Sequence, residues 1–166
     1  MSRVAPSEED IVALIPRLRA YAMGLTRNRQ VADDLVQDAL ERAWRNRGSY
    51  SADFSLSAWM FRILRNRWID GYRVARHTVE DVDGQHAAEL VTLPNQHWHM
   101  QYAELLRAID GLEPTLREAF YLVMISGLPH VEAAAVLDAP LGTLKSWIRR
   151  GREDLLAIVE IEGASL

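Results

Sequence analysis

Apolar residues recur along the chain at helical intervals, and capping residues mark where each run starts and stops. Ile11, Leu14, Ile15 and Leu18 form the first stripe, with Ser7 placed as an N-cap and Glu8, Glu9 and Asp10 in the first turn, where the helix dipole favours acids. The run "QVADDLVQDALERAWRNR" carries Val31, Leu35, Ala39 and Ala43 along one side and ends at Gly48 and the polar "GSYSADFS". A third run, "SLSAWMFRILRNRWIDGYRVAR", repeats the period through Trp59, Ile63 and Ile69. Three helices with short connections predict a bundle over residues 7–77. Residues 78–100 hold Gly84, Pro94, Asn95 and four acids without periodicity, which predicts a flexible linker.

Periodicity resumes over residues 101–160. Leu105, Leu106, Ile109 and Leu112 form a stripe, and "EPTLREAFYLVMISG" places Pro114 at a helix start and Gly127 at its end. Pro129 opens the short "HVEAAAVLD", and a tight turn at Asp138 to Pro140 leads into "LGTLKSWIRRGREDLLAIVE". A short helix, a turn and a longer basic helix make the pattern of a helix-turn-helix, whose second helix can lie in the DNA major groove. The fold class expected is therefore all-α: two small helical domains joined by a flexible acidic linker.

On that last helix, Leu144, Ile148, Gly151 and Leu155 share the side expected to face the bundle, with Gly151 permitting close approach of a neighbour. Lys145, Arg149 and Arg152 fall on another side, joined by Ser146 and Arg150. A helix of this diameter fits the major groove, where Arg and Lys pair with guanine acceptors. The same spacing also suits a solvated basic face on an ordinary bundle.

Charge sharpens the picture. The net charge of the 166 residues is −4, yet the bases are clustered. From Trp59 to Arg76, five arginines (62, 65, 67, 73 and 76) face the single acid Asp70, giving +4. Residues 140–152 hold four bases and no acid, again +4, whereas residues 77–103 hold Glu80, Asp81, Asp83 and Glu89 with no Lys or Arg, giving −4. Nucleic-acid binding draws on such local clusters of Lys and Arg rather than on the total. With no cysteine there is no disulfide framework or thiolate metal site, and no apolar run is long enough to span a membrane. The N-terminus has no secretory signal pattern, so a cytoplasmic protein is expected.

Both halves resemble one family. "GLPHVEAAAVLDAPLGTLKSWIRRGRE" resembles region four of the extracytoplasmic-function (ECF) sigma factors, which reads the upstream promoter element. "ADDLVQDALERAW" is similar to the core-polymerase-binding helix of their region two, and "AWMFRILRNRWIDGYR" to its promoter-melting, downstream-element helix. The resemblance runs from about Leu14 to Leu156, and "RLRAYAMGLTRNRQVADDLVQDALERAW" is similar to the family's general-stress branch.

The resemblance implies a role for each matching position. Asp34, Gln37 and Asp38, with Arg42 extending their surface, match the face that docks on the polymerase's largest subunit. Asn66 matches the position that helps hold a flipped base of the non-template strand, a task suited to an amide that both donates and accepts. Arg62, Arg65 and Arg67 are placed to bind flanking phosphates, and Trp68 either stacks on a base or belongs to the core. Trp59 is read as packing. Thr143, Lys145, Ser146, Arg149 and Arg150 match the upstream-element positions. Trp147, Gly151 and Val123 depart from the family's usual residues, which puts the promoter sequence in doubt rather than DNA binding, and His130 and Val131 replace a more usual aromatic and acid with no role assigned.

The resemblance implies three partners: core RNA polymerase, promoter DNA and an anti-sigma factor. The acidic linker is expected to mimic an RNA backbone in a polymerase channel, or simply to stay soluble and extended. No motif places a catalytic residue, a cofactor site or a small-molecule substrate site, and no membrane insertion is expected. "HWH" at His97 to His99 lacks the further ligands of a metal site, so no metal is expected. The function expected is an alternative sigma factor that binds polymerase, recognises both promoter elements and promotes melting. The alternatives are a sigma-like decoy that sequesters an anti-sigma factor and a polymerase-independent helix-turn-helix regulator.

Overall fold

The structure, a computed structural model, describes residues 5–72 and 96–163. The acids Glu80, Asp81, Asp83 and Glu89, and Arg73 and Arg76, lie outside the described residues.

Ser7 caps α1 (Glu8–Val12), accepting a hydrogen bond from the Asp10 amide at 3.1 Å. The single first helix expected from the sequence is two. Pro16 stands at the start of α2 (Ile15–Thr26), and a proline ring clashes with the carbonyl four residues back, here that of Val12, where α1 ends. Asn28 caps α3 (Arg29–Arg45) through the Val31 amide, and Ser55 caps α4 (Leu56–Arg67) through the Ala58 amide. At its end α4 widens into a π-turn over Trp68–Tyr72.

Leu35, Ala39 and Ala43 are fully buried on α3, as their spacing predicts. On α4 the buried face is different from the one expected. Met60, Phe61 and Leu64 are fully buried, whereas Trp59 and Ile63 pack only partly against the core. The cause is that α4 is covered on two sides, by α2 and α3 on one and by the second domain on the other. Trp59 serves as packing at the rim, edge-on to Tyr50 with ring centroids 5.3 Å apart.

The second domain begins with α5 (Gln96–Asp110), which starts inside the stretch expected to be linker. Leu106, Ile109 and Leu112 are buried, but Leu105 is 43% exposed and does not belong to the stripe. His97 and His99 fall in this helix, with side chains outside those described. Glu113 caps α6 (Pro114–Phe120), with Pro114 at its start, and a π-turn over Tyr121–Ile125 carries the chain to Gly127, whose φ of +69° is the left-handed conformation that glycine adopts freely. The Glu113 carboxyl is held below its ordinary range, chiefly by the backbone N–H of Thr115. Then come α7 (His130–Val136) and α8 (Leu141–Gly163).

The two domains do not stand apart. Buried residues of both form one continuous hydrophobic cluster, with α7 laid on α4 and the Tyr121–Ile125 turn laid on α2.

Candidate nucleic-acid interface

The helix-turn-helix consists of α7 and α8. Its turn holds Asp138 at φ +51°, in the left-handed region that Asp and Asn tolerate better than most residues, and the Ala139 amide donates back to the Ala134 carbonyl at 3.0 Å. On α8, Leu144, Ile148 and Leu155 are buried and Gly151 is buried with them. A Cβ on Gly151 would come within 2.4 Å of the Phe120 ring, so glycine lets α6 and α8 approach closely. Lys145, Ser146, Arg149, Arg150 and Arg152 are all exposed, and Thr143 is half-buried at the helix start. Arg149 meets Glu153 one turn on at 3.5 Å, an exposed surface pair that contributes little to stability. Trp147 packs partly against the core.

The α4 surface is arranged differently. Asn66 is exposed. The three arginines around it are each held by a carboxylate: Arg62 by Asp138 at 2.6 Å, Arg65 by Glu118 at 2.8 Å and Arg67 by Asp38 at 2.9 Å. Trp68 packs partly against the hydrophobic cluster, which favours its core reading. On α3, Asp34, Gln37 and Arg42 are exposed along one side, and Asp38 sits at its edge, bonded to Arg67.

Arg65 and Glu118 are about four-fifths buried, and Tyr21 completes the group by donating its hydroxyl to the same Glu118 oxygen at 2.6 Å. Burial, and then the charge of Glu118, push the Tyr21 phenol well above its ordinary pKa, so it is a neutral donor here. Burial works against the Arg65 charge, but Glu118 outweighs it and raises the guanidinium pKa. Arg17 adds a bond from its Nε to the Ser126 carbonyl at 2.6 Å, while its guanidinium lies 5.8 Å from the Phe61 ring centre.

Sequence reasoning missed Tyr21, Glu118, Asp138, Arg17 and Ser126. Glu118 lies 53 residues from Arg65, and Asp138 lies 76 from Arg62, so no local spacing signals either pair.

The arrangement has counterparts among known proteins. Residues 11–78 match Sigma-70 region 2, and residues 102–155 match Sigma-70, region 4. An ECF RNA polymerase sigma factor EcfG from Rhodopseudomonas palustris (strain TIE-1) is 42% identical over 156 residues, covering 94% of this chain and 86% of that protein. The ECF RNA polymerase sigma-E factor of Escherichia coli (strain K12) is 35% identical over 133 residues, covering 72% of this chain and 69% of that protein. Among solved structures, the sigma factor RpoE in complex with the anti-sigma factor NepR from Bartonella quintana is similar with a TM-score of 0.75 and 32% identity, over 93% of this chain and 96% of that one. A two-domain helical chain with a basic helix-turn-helix defines the class, and these relatives define the branch. The chain belongs to the ECF RNA polymerase sigma factors.

Proposed function

We propose that this sigma factor docks on core RNA polymerase through Asp34, Gln37, Asp38 and Arg42 of α3. It reads the upstream element through Thr143, Lys145, Ser146, Arg149 and Arg150 of α8. It binds and helps to melt the downstream element through Asn66 and the arginines Arg62, Arg65 and Arg67 of α4. The observation that carries this reading is the clean division of α8, with Leu144 and Ile148 buried and every base exposed. An exposed Asn66 supports a melting role, since a planar amide has both a donor and an acceptor for an unstacked base. Retention of both features favours an active factor over a decoy, and the α3 surface favours one that works with polymerase over an independent regulator.

The protein supplies no catalytic residue: polymerase makes the phosphodiester bonds, and this chain supplies position and specificity. Among the described residues no helix is long and apolar enough to cross a membrane, and we place the protein in the cytoplasm with the polymerase it serves. The relative from Bartonella quintana was solved with an anti-sigma factor, which supports an anti-sigma factor as a partner here too.

Docking through α3 is tested by charge reversal. Asp34→Arg alters an exposed side chain, so folding is unaffected, while affinity for core polymerase should fall about tenfold or more, because like charges across an interface cost several kcal/mol. A binding titration with labelled core enzyme measures this, and unchanged affinity would remove α3 from the docking face.

A further inference from the structure

The bases of α8 are not equivalent, and their places on the helix divide them. Leu144, Ile148, Gly151 and Leu155, at intervals of four, three and four, form the buried row. Gly142, Ser146, Arg149 and Glu153 repeat those intervals two residues earlier, and all four are exposed. Two residues turn about 200° round a helix of 3.6 residues per turn, so this second row lies on the side opposite the core. Lys145 and Arg152 flank it on one side, Arg150 and Thr143 on the other. The row that faces furthest outward therefore holds one base and one acid.

A free carboxylate at that place would repel the DNA backbone that the neighbouring bases attract. Glu153 is not free: its Oε1 lies 3.5 Å from Nη1 of Arg149, one turn back. Lys145, Arg150 and Arg152 form no ion pair among the described residues. One base of α8 thus carries its own counter-charge and three do not.

We infer that Glu153 is a positioning residue for sequence recognition: its carboxylate holds the Arg149 guanidinium over the outward row, so that Arg149 reads a guanine edge while Lys145, Arg150 and Arg152 grip phosphates to either side. This rests on the reading of α8 as the helix that enters the upstream element.

The chemistry follows from the donors of a guanidinium. Arginine carries five N–H donors in a planar fork, so a carboxylate on one edge leaves others for the O6 and N7 acceptors of guanine. Side chains on a helix lean toward its N-terminus, which brings Glu153 back over Arg149. An arginine already held by a carboxylate gains less from a phosphate, and its orientation is set before DNA arrives, so less rotamer freedom is lost on binding. The three other bases keep their charge for counterion release. The pair itself contributes little to stability, so its effect falls on recognition rather than on folding.

The test uses the full chain assembled with core polymerase and a promoter library randomised over the upstream element, with the retained DNA sequenced. Glu153→Gln, Arg149→Ala and the double variant alter only exposed side chains, so the fold is kept. Arg149→Ala is expected to relax preference at one base pair by about fivefold or more. Glu153→Gln should relax that same position, and the double variant should do no more than Arg149→Ala alone. Arg152→Ala should instead weaken binding to all sequences alike and reduce the salt slope by about one.

Tighter binding of every sequence by Glu153→Gln, at unchanged preference, would show an acid that only repels DNA and would overturn the inference. Preference unchanged in every respect, or relaxed at a position that Arg149→Ala leaves alone, would overturn it too. In each of these cases Arg149→Ala decides the wider reading. A preference relaxed by that variant keeps α8 as the reading helix and discards only the role of Glu153, whereas a preference it leaves unchanged discards both.

Discussion

Replacing Arg149 and Arg150 together by alanine should abolish promoter-directed transcription while leaving the protein folded. Both side chains are exposed on α8, beyond the buried row of Leu144, Ile148 and Leu155, so stability should move by no more than about 0.5 kcal/mol. Each arginine that pairs with a guanine contributes about 1–3 kcal/mol of discrimination, so the pair should reduce promoter-specific transcription well over tenfold. Salt dependence tells the two kinds of contact apart. Loss of a phosphate contact weakens binding to all sequences and reduces the salt slope by about one per contact, whereas loss of a base contact relaxes specificity at one position. Run-off transcription and DNA titrations at several salt concentrations measure both. Unchanged start sites and unchanged rates would show that the basic side of α8 is only a solvated surface.

The largest loss of stability is expected at Phe61. Its ring is fully buried, 5.5 Å from the Tyr21 ring centre and beneath the Arg17 guanidinium. Truncating it to alanine should cost about 3–5 kcal/mol, the sum of lost transfer energy and a cavity that rigid neighbours do not fill. For a chain of this size that lowers Tm by roughly 6–20 °C, at about 2–4 °C per kcal/mol. Trp59→Ala removes a larger side chain but should cost less, because Trp59 is only partly buried at the rim of the core. Thermal unfolding followed by circular dichroism compares the two. A greater loss at Trp59 would return α4 to the face that its sequence period suggests.

That contrast between helices explains what was legible in the sequence. The last helix was legible in its main division: the apolar row of Leu144, Ile148 and Leu155, the buried Gly151 and the exposed bases separate by spacing alone, whereas the partial packing of Trp147 does not follow from it. The caps at Ser7 and Ser55 and the proline at the start of α6 were equally local, because each bonds within three residues or fixes its own φ. Reading α4 by a single stripe failed because two domains cover it, and an apolar arc that wide has no unique period. Leu105 failed for the opposite reason: it keeps the rhythm of α5 but meets solvent. Pro16 does stand in the sequence as a break, and its weight shows only once Val12 is seen to end α1.

The candidate site divides in the same way. Exposure of Lys145, Arg149, Arg150, Asp34, Gln37 and Asn66 follows from helical geometry. The engagement of Arg62 and Arg65 does not, because the acids that hold them arrive from another domain across the segment between them. Clustered positive charge in a sequence identifies a side that seeks anions, and only the fold tells whether a phosphate or a carboxylate has been found.

Reconstituted transcription tests the central claim most directly. Purified protein is added to bacterial core polymerase on fragmented genomic DNA of the source organism, and transcript starts are mapped against core enzyme alone. The account predicts defined starts downstream of two shared sequence elements, lost in the Arg149→Ala/Arg150→Ala variant. Transcripts no different from those of core enzyme alone, despite tight binding of an anti-sigma factor, would contradict it and leave the protein as a decoy.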